Sequence, residues 1–175
     1  MAPKPYVLTV KKVVAPGARA AQLYNIAKEL AKTYAFEHVI CHVGTNYVPH
    51  EHPNDTIEEV SDLLAELKRI FNCRVTFSPI LPRITLEDRQ ADGQNLSPES
   101  LGLLNNIQLI NTEIYRFCQR NFIGTALCQA FVMDPRNPVP VKYLLAKDGC
   151  HLNRRGIVAM EHSICDVINA FAGLK

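Results

Sequence analysis

The stretch Lys147-Asp148-Gly149-Cys150-His151-Leu152-Asn153-Arg154-Arg155-Gly156 carries an Asp and a His three residues apart, directly before an apolar segment of helical period. Asn153 is a good N-cap for that segment, because its side-chain oxygen can accept a backbone N–H of the first turn. Asp148 and His151 then share the short loop that enters a C-terminal helix. A carboxylate that orients an imidazole is the general-base half of a hydrolytic site. By itself the pair reads equally as two polar residues at the mouth of a capped helix, since so short a motif has low specificity.

Two further stretches add chemistry. Glu37-His38-Val39-Ile40-Cys41-His42-Val43-Gly44-Thr45-Asn46 is an apolar run that stops in Gly-x-Asn. The C-terminal end of a strand in an α/β sheet is where ligands gather. An Asn side chain there can aim an N–H at a developing oxyanion. Val13-Val14-Ala15-Pro16-Gly17-Ala18-Arg19-Ala20 repeats the pattern of apolar run, Gly turn and helix start, and makes the Gly17 N–H a second oxyanion donor.

In this order the three pieces resemble the blocks of the SGNH (GDSL-type) hydrolases. P-G-A-R is similar to the family's glycine block, H-V-G-T-N to its asparagine block, and D-G-C-H-L-N-R-R-G to its Asp-x-x-His block. Phe77-Ser78-Pro79-Ile80-Leu81-Pro82-Arg83 resembles the strand and loop that follow the asparagine block. The wording is most similar to esterase-type domains in first-reading-frame proteins of non-LTR retrotransposons. The resemblance runs from about Val10 to the C-terminus. It implies carboxylic-ester hydrolysis of a lipid or acetyl ester, with His151 as base, Asp148 orienting it, Gly17 and Asn46 at the oxyanion, and no metal or organic cofactor. Two features depart from the pattern. Tyr47 stands where the family often has Asp, and the Gly-Asp-Ser block that supplies the nucleophile is absent from the sequence.

At 175 residues, residues 1–175 fit one domain with a real core. Net charge is +2. Residues 1–34 hold six basic side chains against Glu29 alone, while Glu51 to Glu66 is acidic, a weak pointer to nucleic acid that solvated surface explains equally well. No apolar run approaches the ~18 residues that a membrane span needs, and the start Met1-Ala2-Pro3-Lys4-Pro5 has no signal-peptide character. The six cysteines (41, 73, 118, 128, 150, 165) form no C-x-x-C pair, which fits free thiols in an intracellular protein, cytoplasmic or nuclear. Cys150 beside His151 suggests a Cys nucleophile, but adjacent residues seldom hold the in-line hydrogen bond such a pair needs.

The elements that would position these groups follow from periodicity. Tyr6–Val14 is β-branched-rich and reads as a strand; Ala18–Tyr34 carries Leu23, Ile26, Ala27, Leu30 and Ala31 at helical spacing. Val39–Val43 reads as a buried parallel strand. Residues 47–55 form a polar loop, where Tyr47, His50 and His52 stand as substrate-rim candidates. The two His lack a third ligand at metal-site spacing. Thr56 and Glu59 suggest a capping box opening a helix on Ile57, Val60, Leu63, Leu64, Leu67 and Ile70. Cys73–Phe77 is the next strand, and 82–96 a long loop. Ser97-Pro98-Glu99 opens a helix to about Asn121. The last strand falls within 122–133, a Pro-rich loop (135, 138, 140) follows, and 156–174 is a closing helix.

This alternation predicts a three-layer α/β/α sandwich with a mainly parallel sheet, SGNH- or flavodoxin-like, without the family's first strand. That strand would lie between Tyr6–Val14 and Val39–Val43. Both would then expose unpaired backbone groups, so they are expected to close on each other or to recruit a second chain by self-association. Three functions fit the sequence: an ester hydrolase whose nucleophile is not in this chain, a degenerate hydrolase serving as a protein or nucleoprotein interaction module, or a Cys150-dependent enzyme.

Overall fold

The fold was taken from a computed structural model, of which residues 9–91, 95–131 and 139–173 are described. The elements run α1 (Ala20–Ala31), β1 (His38–His42), α2 (Pro53–Phe71), β2 (Arg74–Ser78), α3 (Leu86–Gln90), α4 (Pro98–Arg120), β3 (Gly124–Thr125) and α5 (Arg154–Ala172), with short 3-10 turns at Gln129–Phe131 and Val139–Leu144. The strands form one parallel sheet in the order β1-β2-β3. The α/β architecture with a parallel sheet is the one the sequence pattern implies.

Helix α2 organises the core. It buries Thr56, Val60, Ser61, Leu63, Leu64 and Leu67 on one stripe, and packs between α1 and α4. Strand alternation sends Val39, Cys41, Val75 and Phe77 toward these helices. His38, Arg74 and Thr76 then face the opposite side. There Phe171 of α5 meets the His38 ring at 4.9 Å and the Arg74 guanidinium at 5.1 Å, so α5 makes the third layer. Each fully buried Leu, Val or Ile contributes roughly 1.5–3 kcal/mol. By that measure α2 is strongly held and α5, which buries only Gly156 and Ser163, depends on its ends.

Several boundaries depart from expectation. Helix α2 starts at Pro53, not Thr56: His52 Nδ1 caps it by accepting the Asn54 N–H at 3.3 Å, and Pro53 takes the first helical position. Thr56 lies inside the first turn with its Oγ1 buried and unpartnered. The 82–96 loop contains α3, capped by Thr85, and its Asp92-Gly93 lies outside the described residues. The last strand is two residues long, because Gly124 sits where a side chain would meet Thr76 Oγ1 at 2.6 Å. Of the Pro-rich loop, residues 132–138 lie outside the described residues.

The main correction concerns the first strand. Residues 9–14 are not in a strand, and Tyr6, Val7 and Leu8 lie outside the described residues. Val10, Val13 and Val14 are 74%, 46% and 67% exposed. A strand needs a ladder partner, and β1 does not supply one here: no backbone hydrogen bond joins residues 9–14 to it. The two segments therefore do not close on each other.

Candidate functional site

The loop from Leu145 to Leu152 is a small hairpin closed by an antiparallel bridge between those two residues. Ala146 N–H donates to the His151 carbonyl at 2.7 Å, and Gly149 N–H to the Ala146 carbonyl at 3.1 Å. Gly149 has φ +72°, and a Cβ there would meet the Ile84 carbonyl oxygen at 2.6 Å. Only glycine lets the loop approach this closely and form the Ile84 N–H to Gly149 carbonyl bond of 2.9 Å. The hairpin is thereby fixed to the segment that follows β2.

Within that loop the predicted pair is in contact. His151 Nδ1 and Asp148 Oδ2 are 2.6 Å apart, while Asp148 Oδ1 accepts the N–H groups of Cys150 and His151 at 2.9 Å each. The hydrogen bond from His151, then the two backbone donors, hold the Asp148 carboxyl well below the usual carboxylate range. An ionised Asp148 accepts only, so Nδ1 carries the proton and Nε2 presents its lone pair outward. That is the tautomer a general base requires. The His151 side chain is 81% exposed, and no hydroxyl is hydrogen-bonded to Nε2 among the described residues.

Asn153 caps α5 as the sequence implies, its Oδ1 accepting from Arg155 N–H at 2.9 Å and Gly156 N–H at 3.1 Å. Its Nδ2 also donates to the Tyr143 carbonyl at 2.7 Å and the Leu145 carbonyl at 3.0 Å. One side chain thus joins the hairpin base to the helix mouth.

Gly17 and Asn46 belong to a second assembly. Gly17 has φ +72° in the turn before α1. Asn46 is exposed in the turn after β1, its side chain without a hydrogen bond among the described residues. That turn needs Gly44, at φ +115°, because a Cβ would lie 2.5 Å from Ile80 Cδ1. Tyr47 links the two turns: it is 1% exposed, and its hydroxyl accepts the Ala20 N–H at the start of α1. Burial pushes its phenol up to about 12. The Arg19 guanidinium lies 5.4 Å from the Tyr47 ring and pairs with Glu51. Tyr47 therefore braces the site from inside the core instead of lining open surface. His50 is exposed, and His52 is engaged as the α2 cap.

Sequence reasoning missed Tyr47 as a brace, the Arg19–Glu51 pair and the donor half of Asn153. An aromatic residue in a polar Gly-Thr-Asn-Tyr turn was the available signal for the first. Among the described residues no cluster of three or more His, Cys, Asp or Glu gathers for a metal.

No protein-family model and no curated protein matches the sequence. Solved structures do match. A GDSL-like lipase from Bacteroides thetaiotaomicron VPI-5482 is 21% identical with a TM-score of 0.66, over 88% of this chain and 72% of that one. A putative acylhydrolase from Bacteroides fragilis NCTC 9343 is 20% identical, TM-score 0.64, over 89% and 72%. Est24, a carbohydrate acetylesterase from Sinorhizobium meliloti, is 15% identical, TM-score 0.60, over 85% and 67%. The chain has the fold of these GDSL-type hydrolases. In this GDSL-type fold the Asn46 turn follows the C-terminal end of β1, and the Asp148–His151 hairpin is bonded to the segment after β2. No described helix is long and apolar enough to cross a membrane.

Proposed function

We propose that this chain carries the acid–base and oxyanion parts of an SGNH-type carboxylic-ester hydrolase. The carrying observation is the 2.6 Å contact between His151 Nδ1 and Asp148 Oδ2, which leaves Nε2 as a free base. In this reading a serine Oγ attacks the ester carbonyl and its proton passes to His151 Nε2. Asp148 stabilises the imidazolium. The Gly17 N–H and the Asn46 side chain hold the tetrahedral oxyanion, which collapses as His151 returns the proton to the leaving alcohol. Lipid and acetyl esters are the substrates the SGNH reading implies. The esterase-type domains of retrotransposon first-reading-frame proteins are the nearest subfamily in wording, and an intracellular site fits the six free thiols.

The serine itself is not in this sequence. The polypeptide is therefore expected to leave simple aryl and acetyl esters intact at the level of a His151→Ala control. Loss of a triad nucleophile costs roughly a millionfold in the serine-protease comparison. The bare Nε2 also favours a second reading, a degenerate hydrolase used as a protein or nucleoprotein interaction module.

One experiment separates the two. A variant is built with an added N-terminal strand ending in Gly-Asp-Ser, and p-nitrophenyl acetate hydrolysis is followed. Hydrolysis that His151→Ala then abolishes supports the hydrolase; an inert but folded variant supports the module. Acyl-enzyme trapped on Ser78 or Cys150 of the unaltered chain would overturn both.

A further inference from the structure

Beside β1 lies a cavity of about 200 Å³ with an unusual boundary. Its floor is apolar: Leu23, Ile26, Ala27 and Leu30 from α1, with Leu67 and Phe71 from α2. One lip is the whole edge of β1, His38 to His42. The other lip is Lys11 and Val13, from the segment that is extended in sequence character yet unpaired. Leu23, Ile26 and Leu30 stay only half-buried there, and Val13 remains exposed.

The β1 edge is polar in a regular way. Arg74 N–H donates to the Glu37 carbonyl, which fixes the phase of the parallel ladder. Residues 39 and 41 then direct their backbone groups to β2, and His38, Ile40 and His42 direct theirs into the cavity. That makes three N–H donors and three C=O acceptors spaced for one more strand. Among the described residues no backbone hydrogen bond reaches them.

We infer that this slot is a docking site for an extended apolar strand of another polypeptide, added parallel to β1. A parallel direction follows because residues 9–14 rise to the Gly17 turn, which Tyr47 fixes beside the C-terminal end of β1. Side chains at alternate positions of the incoming strand enter the apolar floor. A 150 Å³ apolar cavity holds a benzene-sized group, so this one takes about two branched aliphatic side chains. The lining includes the cation of Lys11 and no carboxylate, which selects a strand with an acidic residue at its start. Main-chain bonding supplies affinity and the pockets supply selectivity, as in other strand-addition complexes. The inference does not depend on ester chemistry at His151.

The test uses the whole chain and the synthetic peptide acetyl-Glu-Val-Ile-Val-Ile-Val-Lys-amide, with residue-resolved hydrogen exchange by NMR. Saturating peptide is expected to slow exchange of the His38, Ile40 and His42 N–H groups at least about tenfold, because each gains an acceptor. The same peptide N-methylated at alternate residues keeps its side chains but loses one edge of donors, and is expected to bind at least about tenfold more weakly. Unchanged exchange at these three residues, or equal action of the two peptides, would overturn the inference. So would slowing that grows with protein concentration without peptide, which would give the slot to a second copy of the chain.

Discussion

Asn153 offers a quantitative test of how the Asp148–His151 loop is held. Replacing it with Ala removes the cap of α5, worth about 1 kcal/mol within a range of roughly 0.5–2. It also removes two donated hydrogen bonds, each contributing about 1 kcal/mol net. The partners reduce that sum. The Leu145 carbonyl keeps the Arg89 Nε and guanidinium nitrogens at 3.1 and 3.0 Å, and the Tyr143 carbonyl belongs to a residue that is 61% exposed, so water replaces the lost donor. The expected cost of Asn153→Ala is therefore about 2 kcal/mol, or roughly 4–8 °C in Tm for a domain of this size.

Asn153→Asp divides the two roles. A carboxylate keeps both cap bonds and suits the positive end of the helix, but faces the Tyr143 and Leu145 carbonyls with no donor. It is expected to lose about half as much, near 1 kcal/mol, at pH 7. Urea unfolding of the three proteins, compared by midpoint at constant slope, supplies the numbers. An Asn153→Ala midpoint within about 0.5 kcal/mol of the parent, the usual scatter of surface changes, would refute the account. Identical behaviour of Asn153→Asp and the parent would show that the two donated bonds are idle.

Gly149→Ala combines φ +72° with a 2.6 Å approach to backbone. It should cost clearly more in thermal unfolding than Gly17→Ala, where a Cβ meets nothing and only the left-handed penalty of about 1–2 kcal/mol applies. Because the Asp148 carboxyl is held low in the folded state, its contribution is present above the ordinary carboxylate pKa near ~4 and is lost as pH falls toward the folded value. The urea midpoint of Asp148→Asn should therefore fall less between pH 6 and pH 3 than that of the parent, by a small margin since the side chain is 49% exposed. Timed alkylation should modify exposed Cys165 first. Burial pushes the Cys41 and Cys118 thiols up to about 12 and about 11, so these two should react only after unfolding; early labelling of either would contradict the core packing.

Much of the fold was legible because its signals are local. Ser97-Pro98 and Asn153 declare helix starts by side-chain chemistry within three residues, and both cap as expected. The Asp148–His151 contact spans one turn of the same kind. Helix α2 was misread at its start because His52 is an uncommon cap, while Thr56 and Glu59 imitate a capping box one turn later. Tyr47 stayed hidden for another reason. Its hydroxyl reaches Ala20, 27 residues away, and no spacing rule connects a turn to a distant helix end.

The N-terminal run shows where such reading fails in principle. Thr9, Val10, Val13 and Val14 have the β-branched composition of a strand, yet they form none among the described residues. Strand preference measures fit to a pleated surface that neighbours must complete. Here the neighbour is missing on one side, and the same gap leaves β1 with a bare edge and α1 with a half-covered apolar stripe. Three separate departures, an unformed strand, an open edge and an under-buried helix face, thus have one cause. A single added strand would correct all three at once, so its arrival should order residues 9–14 cooperatively with the β1 edge. Independent responses of the two segments would mean that they do not share the slot.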